Sequence, residues 1–338
     1  MSATAFRPTS PADYPALSRF LAHVFGADAG GSLVRADHVQ WKYWAEHPEW
    51  DGSRSYVLER RGEIIAHGAI WPLTILTTSG PIPAVQLYDW AADASQVGAG
   101  FVLLRHVAKL RDVICSIGGS ETTQRMRVPM GFRPRNAVHW FSRTTRPVRE
   151  ALAQPLSWKT PLRAARAAGR SWPLPKPSAG WDAREVSPAD FAGPDVPFPA
   201  PRGAELVFEQ SAARLAFLAR CPTVRFRFYV VRRGGVPAGY FVMRYEPAEA
   251  RIIDAWVRSD DEHGWAELYA LAVRSALRDS TSPTLASYAP TECVRRGLTV
   301  AGFRSTFEQH VHVYDPRGRV ADDASLFLQL AHTDYAFI

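Results

Sequence analysis

YDWAADASQVGAGFVLLRHV, residues 88–107, is where the chain changes its hydrophobic period. The residues leading into it, 84–90, are apolar and aromatic and read as a buried strand. From Phe101 onward the apolar positions are Phe101, Leu104, Val107 and Ala108, the spacing of one helical face. Gly98 and Gly100 stand at the junction. A strand that turns through glycines into a helix brings unpaired backbone N–H groups and the positive end of the helix dipole to one point, which favours an anion there. The plain alternative is a tight turn with no ligand.

Working outward, residues 12–25 form a predicted helix with Ser10 as its cap. Segments 55–59 and 64–70 flank the turn 60–63 as a hairpin. Segments 73–77 and 84–90 bracket a second turn at 79–83. Residues 113–117 read as a short buried strand, 121–130 as a helix closed by Gly131, and 137–143 as a returning strand. The fold class is therefore mixed α/β. The order then recurs, with strands at 226–232, 238–245 and 250–257, a helix at 262–277, a strand at 284–287, a helix at 291–301 and a strand at 307–313.

The recurrence is visible in the residues themselves. SPAD occurs at Ser10–Asp13 and again at Ser187–Asp190; WKYWAEHP at 41–48 is matched by LAFLARCP at 215–222; MGFRP at 130–134 by AGFRS at 301–305. Matches in the same order at slowly drifting offset indicate a duplicated unit of about 150 residues, an ordinary domain size. The expected division is 1–146 and 181–338, joined by a basic, proline-rich linker at 147–180.

This element order, with WKYWAEHP and YVLERRGEIIAHGAIWP entering the first strands, YDWAADASQVGAGFVLLRHV and IGGSETTQRMRVPMGFR (117–133), resembles the GCN5-related N-acetyltransferase (GNAT) superfamily, in its tandem-domain bacterial members. The resemblance covers residues 1–145 and, more faintly, 181–338. It implies an α+β three-layer fold of two tandem GNAT-like domains, each a mixed, mostly antiparallel sheet flanked by helices. It further implies acetyl-CoA as co-substrate, with the pyrophosphate on the loop Val97, Gly98, Ala99, Gly100 and Phe101, and the pantetheine arm along the strand end at Trp90 and Ala91. The family pattern begins with Arg or Gln where this chain has Val97, with Gln96 one place off. The corresponding junction of the second half has one glycine, Gly264, and an acidic run 260–262, which repels a pyrophosphate. The second half is therefore expected to support the first rather than to bind CoA.

Acyl transfer to an amine needs a base, an oxyanion stabiliser and an acid for the leaving thiolate. Asp89 is the candidate base, its pKa expected to rise on burial; the N–H groups of Trp90 and Ala91 are the candidate oxyanion hole. The family's acid is a Tyr in the helix before the GF turn. Here that helix has none, leaving Ser120, Glu121 and Thr123 as polar alternatives, with Glu121 equally readable as a first-turn acid. The acceptor is expected to be a small amine. An amino sugar is suggested by the resemblance and by Trp41, Trp44 and Trp50, which stack on a sugar or simply fill a core. The competing readings are a FemABX-like aminoacyl transferase that uses no CoA, and a non-catalytic binding or scaffold protein.

His67 reads first as a core histidine. His310 and His312 share a strand face without a third ligand, so no metal site is expected. No GxSxG, HExxH, Walker A or GxGxxG motif occurs. Three cysteines make no disulfide framework, and neither a secretory leader nor an apolar run long enough to span a bilayer is present. A cytoplasmic location is the expectation. The 338 residues carry 40 basic and 33 acidic side chains. Segment 143–181 holds eight of the basic residues and one acid, so the whole excess of +7 sits there and the remainder is balanced. That excludes a uniformly basic nucleic-acid-binding fold. It leaves open a contact of the linker with an anionic membrane surface, RNA or the acidic loop, beside the alternative of a solvated linker.

Overall fold

The computed structural model describes residues 4–26, 31–153, 155–191, 196–201, 205–259 and 261–337. The first half runs β1 (Thr4–Pro8), α1 (Tyr14–Phe25), α2 (Ala36–Val39) continued by a wide five-residue turn Gln40–Trp44, β2 (Ser55–Arg60), β3 (Glu63–Thr77), β4 (Gly80–Ala92), α3 (Ala99–Val107), β5 (Val113–Ser116), α4 (Glu121–Arg127) and β6 (Arg133–Thr144). The connection holds α5 (Pro147–Leu152) and α6 (Thr160–Ser171). The second half runs β7 (Trp181–Val186), α7 (Pro188–Phe191), β8 (Glu205–Phe208), α8 (Ala212–Ala219), β9 (Arg225–Arg233), β10 (Val236–Tyr245), β11 (Ala250–Val257), α9 (Glu262–Asp279), β12 (Thr284–Ala289), α10 (Glu292–Val300), β13 (Arg304–Tyr314) and β14 (Ser325–Phe327).

Side chains of the first-half sheet alternate between its two faces, as the two-residue period requires. Val57, Ala69, Trp71, Val113 and Cys115 share a core with Leu17, Phe20 and Leu21 of α1. Their neighbours Leu58, Ile70 and Ile114 pack with Leu103, Leu104 and Val107 of α3. α1 and α3 thus cover opposite faces, giving helix, sheet and helix layers.

The strand 64–70 and the strand 73–77 expected from sequence are one strand of 15 residues. Pro72 lies inside it without breaking it. On the β2 side the ladder stops at Ala69, and on the same edge β8 begins to pair only at Ile75, so no donor is lost at Pro72.

The strands form one sheet in the order β1-β2-β3-β4-β5-β13-β6-β12-β11-β10-β9-β7, mostly antiparallel, with β4–β5 and β11–β12 parallel. The order reads the same way from both ends except at the centre. β6, the last strand of the first half, pairs with β12; β13, its counterpart in the second, pairs with β5. Each half has lent its closing strand to the other's sheet, and β13 and β6 lie side by side between them.

The two SPAD segments share a hydrogen bond. The serine hydroxyl donates to the aspartate carboxylate in both, Ser10 to Asp13 at 3.1 Å and Ser187 to Asp190 at 2.7 Å.

Candidate acyl-transfer site

The β4–β5 ladder pairs only Ala84, Val85 and Gln86 with Val113, Ile114 and Cys115. β4 continues to Ala92 without β5 beside it, so the two parallel strands part beyond Gln86. A cleft opens in the gap, in two chambers of about 440 and 360 Å³ that share Phe25, Trp90, Ser120 and Thr123. The larger is floored by the turn into α3, and Trp90, Ala91, Val97, Gly98, Gly100 and Phe101 all line it. Ala99 does not; it is buried against the sheet.

Gly98 caps α3 with φ +84°, a left-handed conformation that glycine adopts without cost. The Trp90 indole N–H donates to the Gly100 carbonyl at 3.1 Å and holds the helix start against the strand end. The first N–H groups of α3 have no partner within the helix. Among the described residues no lysine or arginine lines this chamber; Val97 is almost wholly exposed at 97%.

The larger chamber has a carboxylate in its wall, Asp93; the smaller contains the cluster of titratable groups. At Asp89 and Trp90, β4 bulges, two residues facing the single Gly68 of β3. Asp89 takes φ +45°, a conformation that costs a non-glycine residue energy and that concentrates at functional sites. Its carboxylate turns inward, where Lys42 Nζ lies 2.5 Å from Oδ2 and the Tyr43 hydroxyl donates to Oδ2 at 2.7 Å. Burial alone would push the Asp89 carboxyl up. The Lys42 charge and the bonds from Lys42 and Tyr43 outweigh it and hold the group below the usual carboxylate range, the reverse of the sequence expectation.

Lys42 is buried in the wide turn after α2. Its ammonium also sits 4.6 Å from the Tyr88 ring centre and 5.2 Å from that of Phe337. The turn is pinned by the fully buried Arg54, whose guanidinium donates to the carbonyls of Trp41, Lys42 and Ala45. His67 lies beneath, one ring nitrogen 3.0 Å from the Asp89 carbonyl and the other 2.9 Å from the Ser55 hydroxyl. Burial pushes its pKa down to about 4, so it is neutral.

A second carboxyl enters from the C-terminal end of the chain. Asp334 lines the same chamber as Asp89, and Phe337, three residues on, packs among Trp41, Trp71 and Tyr88. Burial, with a smaller contribution from the Asp89 charge against the pull of Lys42, pushes the Asp334 carboxyl up to about 6. Arg127 of α4 also lines the chamber; burial lowers its pKa to about 10.

Of the other sequence candidates, Ser120 lines both chambers but already caps α4, accepting from the Thr123 N–H at 3.3 Å. Glu121 lines neither; it is exposed and ion-paired with Arg125. Trp41 is buried in the aromatic core, the Trp44 indole donates to Thr9, and Trp50 stacks under Arg111. None of the three lines the cleft. Sequence reasoning missed Lys42 and Asp334. The signal for Lys42 was a single cation inside the aromatic WKYW run; for Asp334, 245 positions from Asp89, no local signal existed.

The equivalent gap in the second half has different contents. Counting back from the helix caps Ser120 and Thr291, Cys115 corresponds to Ala286, their partners Gln86 and Arg251 correspond, and Asp89 corresponds to Asp254. There the chain's own segment fills the space: Phe327 packs on Trp256 and Trp265, and the Gln329 side chain donates to the Ala255 carbonyl at 3.4 Å. The start of α9 is capped by Asp261, whose carboxylate accepts from the Gly264 N–H. Asp260, part of the acidic run in the sequence, lies outside the described residues.

No family model and no curated protein matches the sequence. Solved structures do. A GCN5-related N-acetyltransferase from Anabaena variabilis superposes with TM-score 0.60 at 11% identity, over 92% of this chain and 72% of its own. A tandem GNAT protein from the clavulanic acid biosynthesis pathway gives 0.59 at 11% identity, over 92% and 98%. Saccharomyces cerevisiae N-myristoyltransferase with bound myristoyl-CoA gives 0.61 at 11% identity, over 93% and 83%. The fold is the GCN5-related N-acetyltransferase fold in tandem.

Proposed function

We propose that the protein is an acyl-CoA-dependent N-acyltransferase acting on a small amine, with its working site in the first half. The observation that carries this reading is the parting of β4 and β5 into a cleft that runs from the start of α3 to the Asp89–Lys42–Asp334 cluster. Two joined chambers and the N–H groups at the start of α3 support an acyl-CoA as the occupant. Trp90 and Ala91 would lie along the pantetheine arm, and the α3 turn at Gly98 and Gly100 would face the pyrophosphate. When bound, the co-substrate supplies an acyl group activated as a thioester.

The protein's own residues then have distinct tasks. Asp89, held ionised by Lys42, fixes the bulge and the local charge and is a weak proton acceptor. Asp334, with its pKa raised to about 6, is poised to take the proton from the acceptor amine. The N–H groups of Trp90 and Ala91 face the carbonyl as charge develops on it. The second half, its own gap filled from within, completes this site by contributing Asp334. Acetyl is the simplest acyl group, and the first trial should use acetyl-CoA. The amino-sugar suggestion has lost its support from the tryptophans.

One observation favours a non-catalytic binding protein instead: among the described residues no cation lines the α3 end of the cleft. Thermal shift with acetyl-CoA and longer acyl-CoAs separates the readings. A Cβ at Gly100 would meet Trp90 and Ala92 at 3.5 Å, an ordinary contact, so Gly100→Glu preserves the fold while placing an acid in the cleft. The wild type is expected to be stabilised by acyl-CoA and Gly100→Glu not. An equal shift in both would remove the loop from the site, and no shift with any acyl-CoA would favour the non-catalytic reading.

A further inference from the structure

The connection between the halves is the most basic part of the chain and also the part that exposes most apolar surface. Three of its cations are used internally. Arg143 is buried and donates to the carbonyls of Ala301, Ser171 and Pro173; Arg146 donates to those of Leu277 and Ser280, closing the end of α9; Arg149 donates to that of Thr281. These contacts fasten the α5–α6 hairpin to the body. Its inner side is closed by Ala151 and Ala167, both buried.

Among the described residues nothing covers the outer side. Val148, Leu152, Leu156, Trp158, Leu162, Trp172 and Leu174 are all at least half exposed, Leu156 at 76% and Trp158 at 84%. Scattered exposed apolar residues are normal, but a cluster within 27 positions marks a contact surface. A cavity of about 580 Å³ opens between α5, α6 and the start of β13, with Ala151 and Ala167 in its wall. Four arginines, Arg163, Arg166, Arg170 and Arg304, and one acid, Glu150, line it. Glu150 is spent on Arg170. Among the described residues neither Arg166 nor Arg304 has an acidic partner. Lys159 stands against the Trp158 ring.

We propose that the α5–α6 hairpin docks the protein on an anionic phospholipid surface, with Leu156, Trp158 and Leu162 entering the interface and the arginine cavity receiving a lipid phosphate. The chemistry on both counts is that of an interfacial segment: arginines along α6, leucine and tryptophan exposed on it and just before it, and too little apolar length to span. An acidic protein would satisfy the arginines but leaves the exposed leucines and tryptophans without a reason. A bilayer interface takes both, the charges at the phosphates and the apolar side chains below them. This inference is independent of the proposed catalysis.

The test is co-sedimentation of the full chain with vesicles of phosphatidylcholine alone and with one third phosphatidylglycerol, at low and high salt. Two variants accompany it, Leu156→Ser with Trp158→Ser, and Arg163→Gln with Arg166→Gln, each first shown to melt like the wild type. The wild type is expected to pellet with anionic vesicles, with a blue shift of its tryptophan emission, and at least about tenfold less with neutral ones, binding weakening with salt. Each double variant is expected to lose about tenfold or more. No pelleting with anionic vesicles at low salt overturns the proposal, as does pelleting that both variants retain. RNA retention, stabilisation by inorganic phosphate or self-association through Trp158, if found without vesicle binding, assigns the surface to that other occupant and also overturns it.

Discussion

Three buried aspartates show how one residue type takes different states within one fold. Asp89 has Lys42 against it and stays charged; Asp334 shares that cation at second hand and is raised to about 6; Asp254, at the position equivalent to Asp89, has the neutral side chains of Gln210 and Tyr240 against it, and burial raises it to about 7. Desolvation pushes all three up, and the partner separates them. If Asp334 is the base, kcat/KM should rise with pH through an apparent pKa near 6, and Asp334→Asn should lower the rate about a hundredfold or more and abolish that limb. A pH–rate profile of both proteins reads this directly. Asp254 has a consequence for stability instead. Its folded-state pKa is raised, so its contribution is full below the unfolded carboxyl pKa near 4 and is lost as pH rises through about 7. Asp254→Asn should therefore flatten the fall of Tm between those limits, and gain on the wild type most above neutrality. Lys42→Met should leave Asp89 buried without its cation and cost about 3–5 kcal/mol, measured by denaturant unfolding.

At the scale of elements, the junction at residues 88–107 was readable because each piece obeys a local rule: strand period, glycine at positive φ, helical period. The long second-half helix α9 and the strands β9 to β12 were readable for the same reason. Segments 64–70 and 73–77 are one strand, β3, because a proline breaks a strand only where its missing N–H would face a neighbour, and here one edge is vacant at Pro72. The bulge at Asp89 had no signature at all; it is imposed by pairing with β3 across Gly68, a non-local register. Lys42 depends on an element that sequence periodicity does not describe, a wide turn held by three bonds from Arg54.

At the scale of the molecule, the two halves are written one after the other and built through one another. β6 and β13 are exchanged, β8 pairs with the end of β3, and the C-terminal residues carry Asp334 and Phe337 into the first half. Residues 1–146 expressed alone would lack the β13 neighbour of β5 and the aromatic plug, and should fail to give a cooperative unfolding transition by circular dichroism. In the full chain Phe337→Ala should cost about 3–5 kcal/mol, as for a large aromatic lost from a packed core. What the sequence by itself determined is the mixed α/β class, the repeat, the order of nearly all elements and the glycine turn, because these rest on period, propensity and turn chemistry within a few residues. Only the tertiary structure decided which strand closes which sheet, which gap stays open, and that the carboxyl beside Asp89 comes from the far end of the chain. Those depend on contacts between residues more than a hundred positions apart, and no local pattern encodes which of two similar edges a strand will join.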